Sequence, residues 1–226
     1  MRQTKTTNRS RIADNGEIAT RSHVTITAPN FERGTFRING TAPLVICRFS
    51  KKAIDAIAAT QSEGTTATSK RKRKKVDPQQ QFADARYYHT AGWEGFQASA
   101  IRNAMISACR VVDIKMTLAK LCVFCEPDGY DKLQPQIPLV RIHGTAAMQQ
   151  DQVRNRNSGQ FSVTTRAVYH QWSADVTIKW DADRFTLSDV ANLLARVGQQ
   201  VGIGCGRPDS KESAGMGWGL FDVARE

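Results

Sequence analysis

Acidic residues are scarce in this 226-residue chain: 21 Asp and Glu stand against 32 Lys and Arg, a formal charge of +11. Long apolar runs are missing too. No stretch approaches the roughly 20 residues that cross a bilayer, and Met1 to Thr20 lacks the apolar core of a secretory leader. No membrane partner is expected, and the chain reads as a soluble protein of a cytoplasm. The five cysteines, Cys47, Cys109, Cys122, Cys125 and Cys205, are odd in number and lie in apolar segments. That predicts reduced, mostly buried thiols and excludes a disulfide framework.

Signatures of catalysis and cofactor binding are equally thin. Cys122-x-x-Cys125 has the spacing of half a zinc site, but no second pair follows. In the strand expected there, positions three apart face opposite sides. His23, His89, His143 and His170 share no spacing. The phosphate-loop order G-x-x-x-x-G-K-[ST] is absent. Gly202-x-Gly204-x-Gly206 follows a helical pattern and precedes a strand, the reverse of a dinucleotide fingerprint. No catalytic residue, metal or cofactor is expected, and no short internal repeat is present.

What the chain does have is basic charge in a block. Lys70, Arg71, Lys72, Arg73, Lys74 and Lys75 are consecutive, and without them the balance falls from +11 to +5. Three readings fit the run: an import signal, a solvated charge patch, or an arm that binds phosphates. Its internal position and the overall basicity favour the arm, and a polyanion is the expected partner.

Hydrophobic residues make up 40% of the chain, enough for the core of one α+β domain. The first 21 residues read as a flexible basic N-terminus and 22–226 as the domain. Alternation at Val24 and Ile26, and again at Phe36 and Ile38, predicts two short strands, and Leu44 to Phe49 a buried one. Ser50 can cap a helix carrying Ile54 and Ile57 that ends near Gly64. Residues 62–80 read as an exposed inserted arm. A helix from Gln97 to Val112 carries Ala98, Ile101, Met105, Ala108 and Val112 on one face, away from Arg102 and Arg110. Leu118 to Phe124 reads as a strand, and Leu139 to Ile142 as another. Residues 126–160 read as a second, irregular insertion, with Met148 to Ser158 a polar loop. Phe161, Val163, Thr165 and Ala167 alternate with polar neighbours, and Trp172 to Trp180 alternates strictly, hence strands. Thr186 and Asp189 have capping-box spacing ahead of the stripe Leu187, Val190, Leu193, Leu194, Val197 and Val201. A last strand follows through Leu220, Phe221 and Val223.

The segment before that last strand holds six glycines within Gly202–Gly219. Either its backbone amides form an anion nest, with Arg207 and Lys211 adding charge, or a long connection needs tight turns. Trp172 and Trp180 belong to the core by their alternation. Trp93 and Trp218, flanked by glycines, are the better base-stacking candidates. Arg154 and Arg156, in a polar segment, are phosphate candidates.

Val201–Val223, VGIGCGRPDSKESAGMGWGLFDV, resembles the C-terminal glycine-rich loop of the RAMP superfamily, the ferredoxin-like RNA-binding proteins of CRISPR systems. Gln97–Arg110, QASAIRNAMISACR, is similar to a helix of that superfamily with an Arg near its start. The chain also looks like a group of phage-encoded proteins with a basic run, an Asp-Pro and this loop. The paired glycines that usually open the loop are interrupted here. The resemblance implies a ferredoxin-like or RRM-like α+β fold in a prokaryotic or phage-infected cell. It further implies a non-catalytic protein that binds single-stranded RNA or DNA and self-associates along it or assembles with other subunits. Phosphate contacts would come from Lys70–Lys75, Arg102, Arg154, Arg156, Arg207 and Lys211, with Gly204 and Gly206 permitting close approach and Trp93 and Trp218 stacking. A phage strand-annealing protein, a RAMP endoribonuclease using His89 or His143, and a structural subunit are the alternatives.

Overall fold

The computed structural model describes residues 27–48, 77–154, 159, 161–210 and 215–224. The expected strand at Val24 and Ile26, the helix from Ser50 to Gly64, the run Lys70–Lys75, Arg156 and Lys211 lie outside them, as does the N-terminal segment 1–21.

The central sheet is built from β1 (Phe31–Gly40), β5 (Val123–Glu126), β11 (Trp172–Asp181) and β12 (Phe221–Val223). Their order across it is β12-β1-β11-β5, every pairing antiparallel, and the short β8 (His143–Gly144) joins beside the start of β11. β11 earns its place by alternation: Trp172, Ala174, Val176, Ile178 and Trp180 are buried, and the residues between them are half-buried. On β1, Ile38 shares that inner face, while Arg33, Thr35 and Arg37 point to the open one.

Two helices close the inner face. Ala98–Ala108, with a further 3₁₀ turn to Val111, runs between β1 and β5; Leu187–Arg196 runs between β11 and β12. The first buries Ala98, Ile101, Met105 and Ala108, the stripe its spacing predicts. The second begins at the expected capping box. Thr186 Oγ1 accepts from the Asp189 N–H, and the Asp189 carboxylate accepts from the Thr186 N–H. It ends in a π-helical turn, Val197–Val201. The connectivity of this layer is therefore strand, helix, strand, strand, helix, strand.

The described residues contain two more helices, so in chain order α1 is Pro78–Asp84, α2 is Ala98–Ala108, α3 is Met116–Cys122 and α4 is Leu187–Arg196. Two smaller sheets flank the centre. One is β2 (Leu44–Ile46), β10 (Phe161–Tyr169) and β9 (Ala147–Arg154), in the order β2-β10-β9. The other is β3 (Tyr87–Tyr88), β4 (Glu94–Gln97), β7 (Pro138–Arg141) and β6 (Gly129–Tyr130), in the order β3-β4-β7-β6.

Three expectations are corrected. Leu118 to Phe124 is not one strand: α3 occupies Met116–Cys122 and the strand starts at Val123. Burying only Ala119 and Cys122, three apart, suits a helix, and it leaves Leu121 72% exposed. Met148 to Ser158 is not a loop through its first half. β9 pairs residue for residue with β10, from Ala147 opposite Val168 to Arg154 opposite Phe161. Between 126 and 160 the chain thus forms β6 to β9 instead of an irregular insertion. Nor does the arm extend to residue 80. Asp77 accepts from the Gln79 N–H and Pro78 fills the first helical position of α1.

Candidate nucleic-acid interface

The described parts of the loop, 202–210 and 215–220, fold back against the β2 segment. Ile203 is its plug, fully buried and donating to the Gly219 carbonyl. The Cys205 N–H donates to Val45 O at 2.9 Å, and the Gly219 N–H to Pro43 O at 2.8 Å. Gly204 and Gly206 are needed on two counts. Both have φ near +75° (75° and 73°). A Cβ on Gly204 would lie 2.6 Å from Val45 O, and one on Gly206 2.4 Å from the Trp218 ring. Their missing side chains accommodate the protein itself. The N–H groups of Ile203 and Cys205 turn inward, so successive amides of this stretch do not all face one anion.

Across from the loop lies a polar edge of α2. Ser99, Asn103 and Ser107 recur every four residues beside the apolar stripe, and so share one face. With Gln97, Arg207 and Asp209 they line a cleft of about 280 Å³. Arg207 donates to Gly204 O at 3.1 Å and forms no ion pair among the described residues. Its position contrasts with Arg33, Arg37, Arg48, Arg86, Arg110 and Arg166, each of which meets a carboxylate. Asp209 is held by Arg110 at 2.6 Å. Burial pushes its carboxyl up, but hydrogen bonds from Arg110 and Ser107 and the charges of Arg110 and Arg207 together hold it below the usual range. The cleft therefore offers one cation, hydroxyl and amide side chains, and a carboxylate already neutralised: a setting suited to a phosphate or a polar edge of a base.

The other residues singled out from the sequence do not gather here. Arg102 donates to Val123 O and Lys120 O and lies over the Phe124 ring, locking α2 to α3 and β5. Trp93 is half-buried with one face covered by His89, ring centroids 4.4 Å apart and nearly parallel. Trp218 packs beneath Gly206, with the Arg166 guanidinium 6.0 Å from its ring, and so borders the loop. Arg154 ends β9. The serine and asparagine stripe on α2 escaped the sequence reading, although its four-residue spacing is visible in ASAIRNAMISA.

Two other surfaces are poorer phosphate sites. On the open face of the central sheet, Arg33 is paired with Glu126 and Arg37 with Asp175, which also meets His143 at 3.3 Å. A larger hollow of about 730 Å³ between β1 and α4 has a mixed lining, apolar at Phe36, Trp180, Leu187 and Val223 and polar at Glu32, Thr35 and Asn192, and its two arginines, Arg33 and Arg37, are the paired ones. The two cysteines spaced as half a zinc site end on different elements, Cys122 on α3 beside Asp181 and Cys125 on β5. Among the described residues no group of three His, Cys, Asp or Glu is placed to hold a metal. His89 bridges to Asp131 outside the named strands, His143 lies on β8, and neither lines the cleft. No family model matches this sequence, and no curated protein matches it.

Proposed function

We propose that this protein binds single-stranded nucleic acid, RNA in the first instance, without cleaving it, and that a phosphate sits in the cleft between α2 and the glycine-rich loop. The observation that carries this reading is Arg207, a cation in no ion pair among the described residues, at a cleft whose polar lining is Gln97, Ser99, Asn103 and Ser107 beside the Arg110-paired Asp209. The fold proposed with it is ferredoxin-like. The antiparallel order β12-β1-β11-β5, with helices after the first and third of these strands in the chain, supports that assignment. The resemblance of Val201–Val223 to the RAMP loop supports RNA over DNA and repeated binding along a strand.

Fluorescence anisotropy with labelled single-stranded RNA and DNA over a salt series tests it. Arg207→Ala is expected to weaken binding and reduce the slope of log K against log salt by about 0.7, the loss of one single-strand phosphate contact. Asn103→Ala should weaken binding with little change in slope. Absence of binding at low salt, or an Arg207→Ala protein that binds as the parent does, overturns the reading. A structural subunit is the second reading, favoured by the open hollow beside β1 and by the unpaired stretch of that strand's outer edge. Among the described residues no strand pairs the outer edge of β1 before Ile38. Assembly in the absence of nucleic acid, seen by sedimentation, would select it.

A further inference from the structure

Two thiols meet behind the same loop. Cys47 follows β2 and is exposed; Cys205 lies in the loop and is half-buried. The hydrogen bond from the Cys205 N–H to Val45 O joins the two backbones at 2.9 Å, which sets Cys205 beside the chain two residues before Cys47, and each thiol shifts the ionisation of the other. From β10, the Arg166 Nη1 donates to Cys47 Sγ at 3.5 Å. Asp151 of β9 is the opposing charge, 3.1 Å from Arg166 Nε. The hydrogen bond from Cys205 and the Arg166 guanidinium outweigh burial and the Asp151 charge, and bring the Cys47 thiol down to about 7. Cys205, as donor to that sulfur and partly buried, is pushed up.

The remaining cysteines are differently placed. Cys109 is buried and donates to Met105 O. Burial raises Cys122, and burial with the Asp128 and Glu126 charges pushes Cys125 up to about 12. Nothing in the nucleic-acid reading uses Cys47 or Arg166.

We propose that Cys47 and Cys205 are a modification site, an attacking and a resolving thiol that hydroperoxides convert to a disulfide fastening the glycine-rich loop to the end of β2. The Cys47 thiolate attacks one peroxide oxygen. The O–O bond breaks, the released alkoxide or hydroxide takes up a proton and leaves as alcohol or water, and Cys47 becomes a sulfenic acid. The Cys205 sulfur then attacks Cys47 Sγ. The S–O bond breaks, the hydroxyl leaves as water with the proton from Cys205, and the S–S bond forms. Two thiols are oxidised and one peroxide is reduced.

The test treats the full chain with hydrogen peroxide near neutral pH and follows it by intact mass and peptide mapping under non-reducing conditions. The wild-type chain is expected to lose two hydrogens, reversibly with dithiothreitol, and to yield one linked peptide pair joining Cys47 to Cys205 within a single molecule. Cys205→Ser should instead gain one oxygen at Cys47, captured by dimedone. Cys47→Ser should leave Cys205 unlabelled at the same dose. Arg166→Met should move the midpoint of Cys47 alkylation against pH upward from about 7 toward the ordinary thiol value of ~8.5. Linkage of any other pair, a bond between molecules, or Cys47 oxidising no faster than Cys125 in the wild-type chain overturns the proposal. The wild-type peptide map decides it even if a variant fails to fold.

Discussion

Arg48 and Asp131 meet at 2.7 Å with side chains 2% and 0% exposed. Asp131 also accepts from the N–H groups of Tyr88 and Gln134, and Arg48 lies 5.5 Å from the centre of the Tyr87 ring. One carboxylate thus pins the end of the β2 segment to the edge of the β3-β4-β7-β6 sheet. Neither partner can be lost cheaply, because the survivor is left buried without its ion-pair partner. Asp131→Ala is expected to cost about 3–5 kcal/mol, read as a lowered midpoint in urea unfolding with an unchanged slope. At this scale the sequence was least legible for arginines. Arg102, on a helix, and Arg207, in the glycine-rich loop, both read in the chain as phosphate contacts. The carbonyls of Lys120 and Val123 that occupy Arg102 come from α3 and β5, which only the folded arrangement brings to it.

Elements were legible wherever one face is buried and the other is wet. β11 and α4 carry clean periods of two and about 3.6, and both form where expected. β9 carries none: AMQQDQVR is held by its ladder to β10 at a sheet edge, so pairing rather than apolar alternation decides its structure. The run Leu118 to Phe124 misleads for the opposite reason, since apolar side chains sit on every side and a short helix and a strand share it. The cap of α4 offers a direct test. Thr186→Ala removes both hydroxyl bonds, the one accepted from the Asp189 N–H and the one donated to its carboxylate, and should cost about 1 kcal/mol by thermal or urea unfolding. The Thr186 backbone and hydroxyl bonds hold the Asp189 carboxyl below the usual range. A group lowered on folding stabilises fully above its unfolded value of ~3.9 and loses that contribution as pH falls through the folded value. The variant, which keeps only the backbone bond to the carboxylate, should therefore differ most from the parent above about pH 4, and the gap should narrow below it to what the lost Oγ1 acceptor contributes.

For the whole molecule, the order β12-β1-β11-β5 could not be read from local pattern, because β1 and β11 pair across more than 130 residues of chain (Phe31 with Asp181, Asn39 with Ser173). Charge is different: it needs no contact map to act at long range. The chain carries +11, six of it in Lys70–Lys75, while six of the arginines in the described residues are already matched by carboxylates. If the cleft supplies a local phosphate contact and the basic run supplies the rest, affinity should divide accordingly. Replacing Lys70–Lys75 by alanine should then lower the salt slope of single-strand binding by up to about 4, six contacts at roughly 0.7 each. Arg207→Ala should lower it by only one such step. A slope that falls with Arg207→Ala but not with the six-residue replacement would place recognition in the cleft alone. The converse result would leave the run as a salt-dependent tether and remove the cleft from the interface.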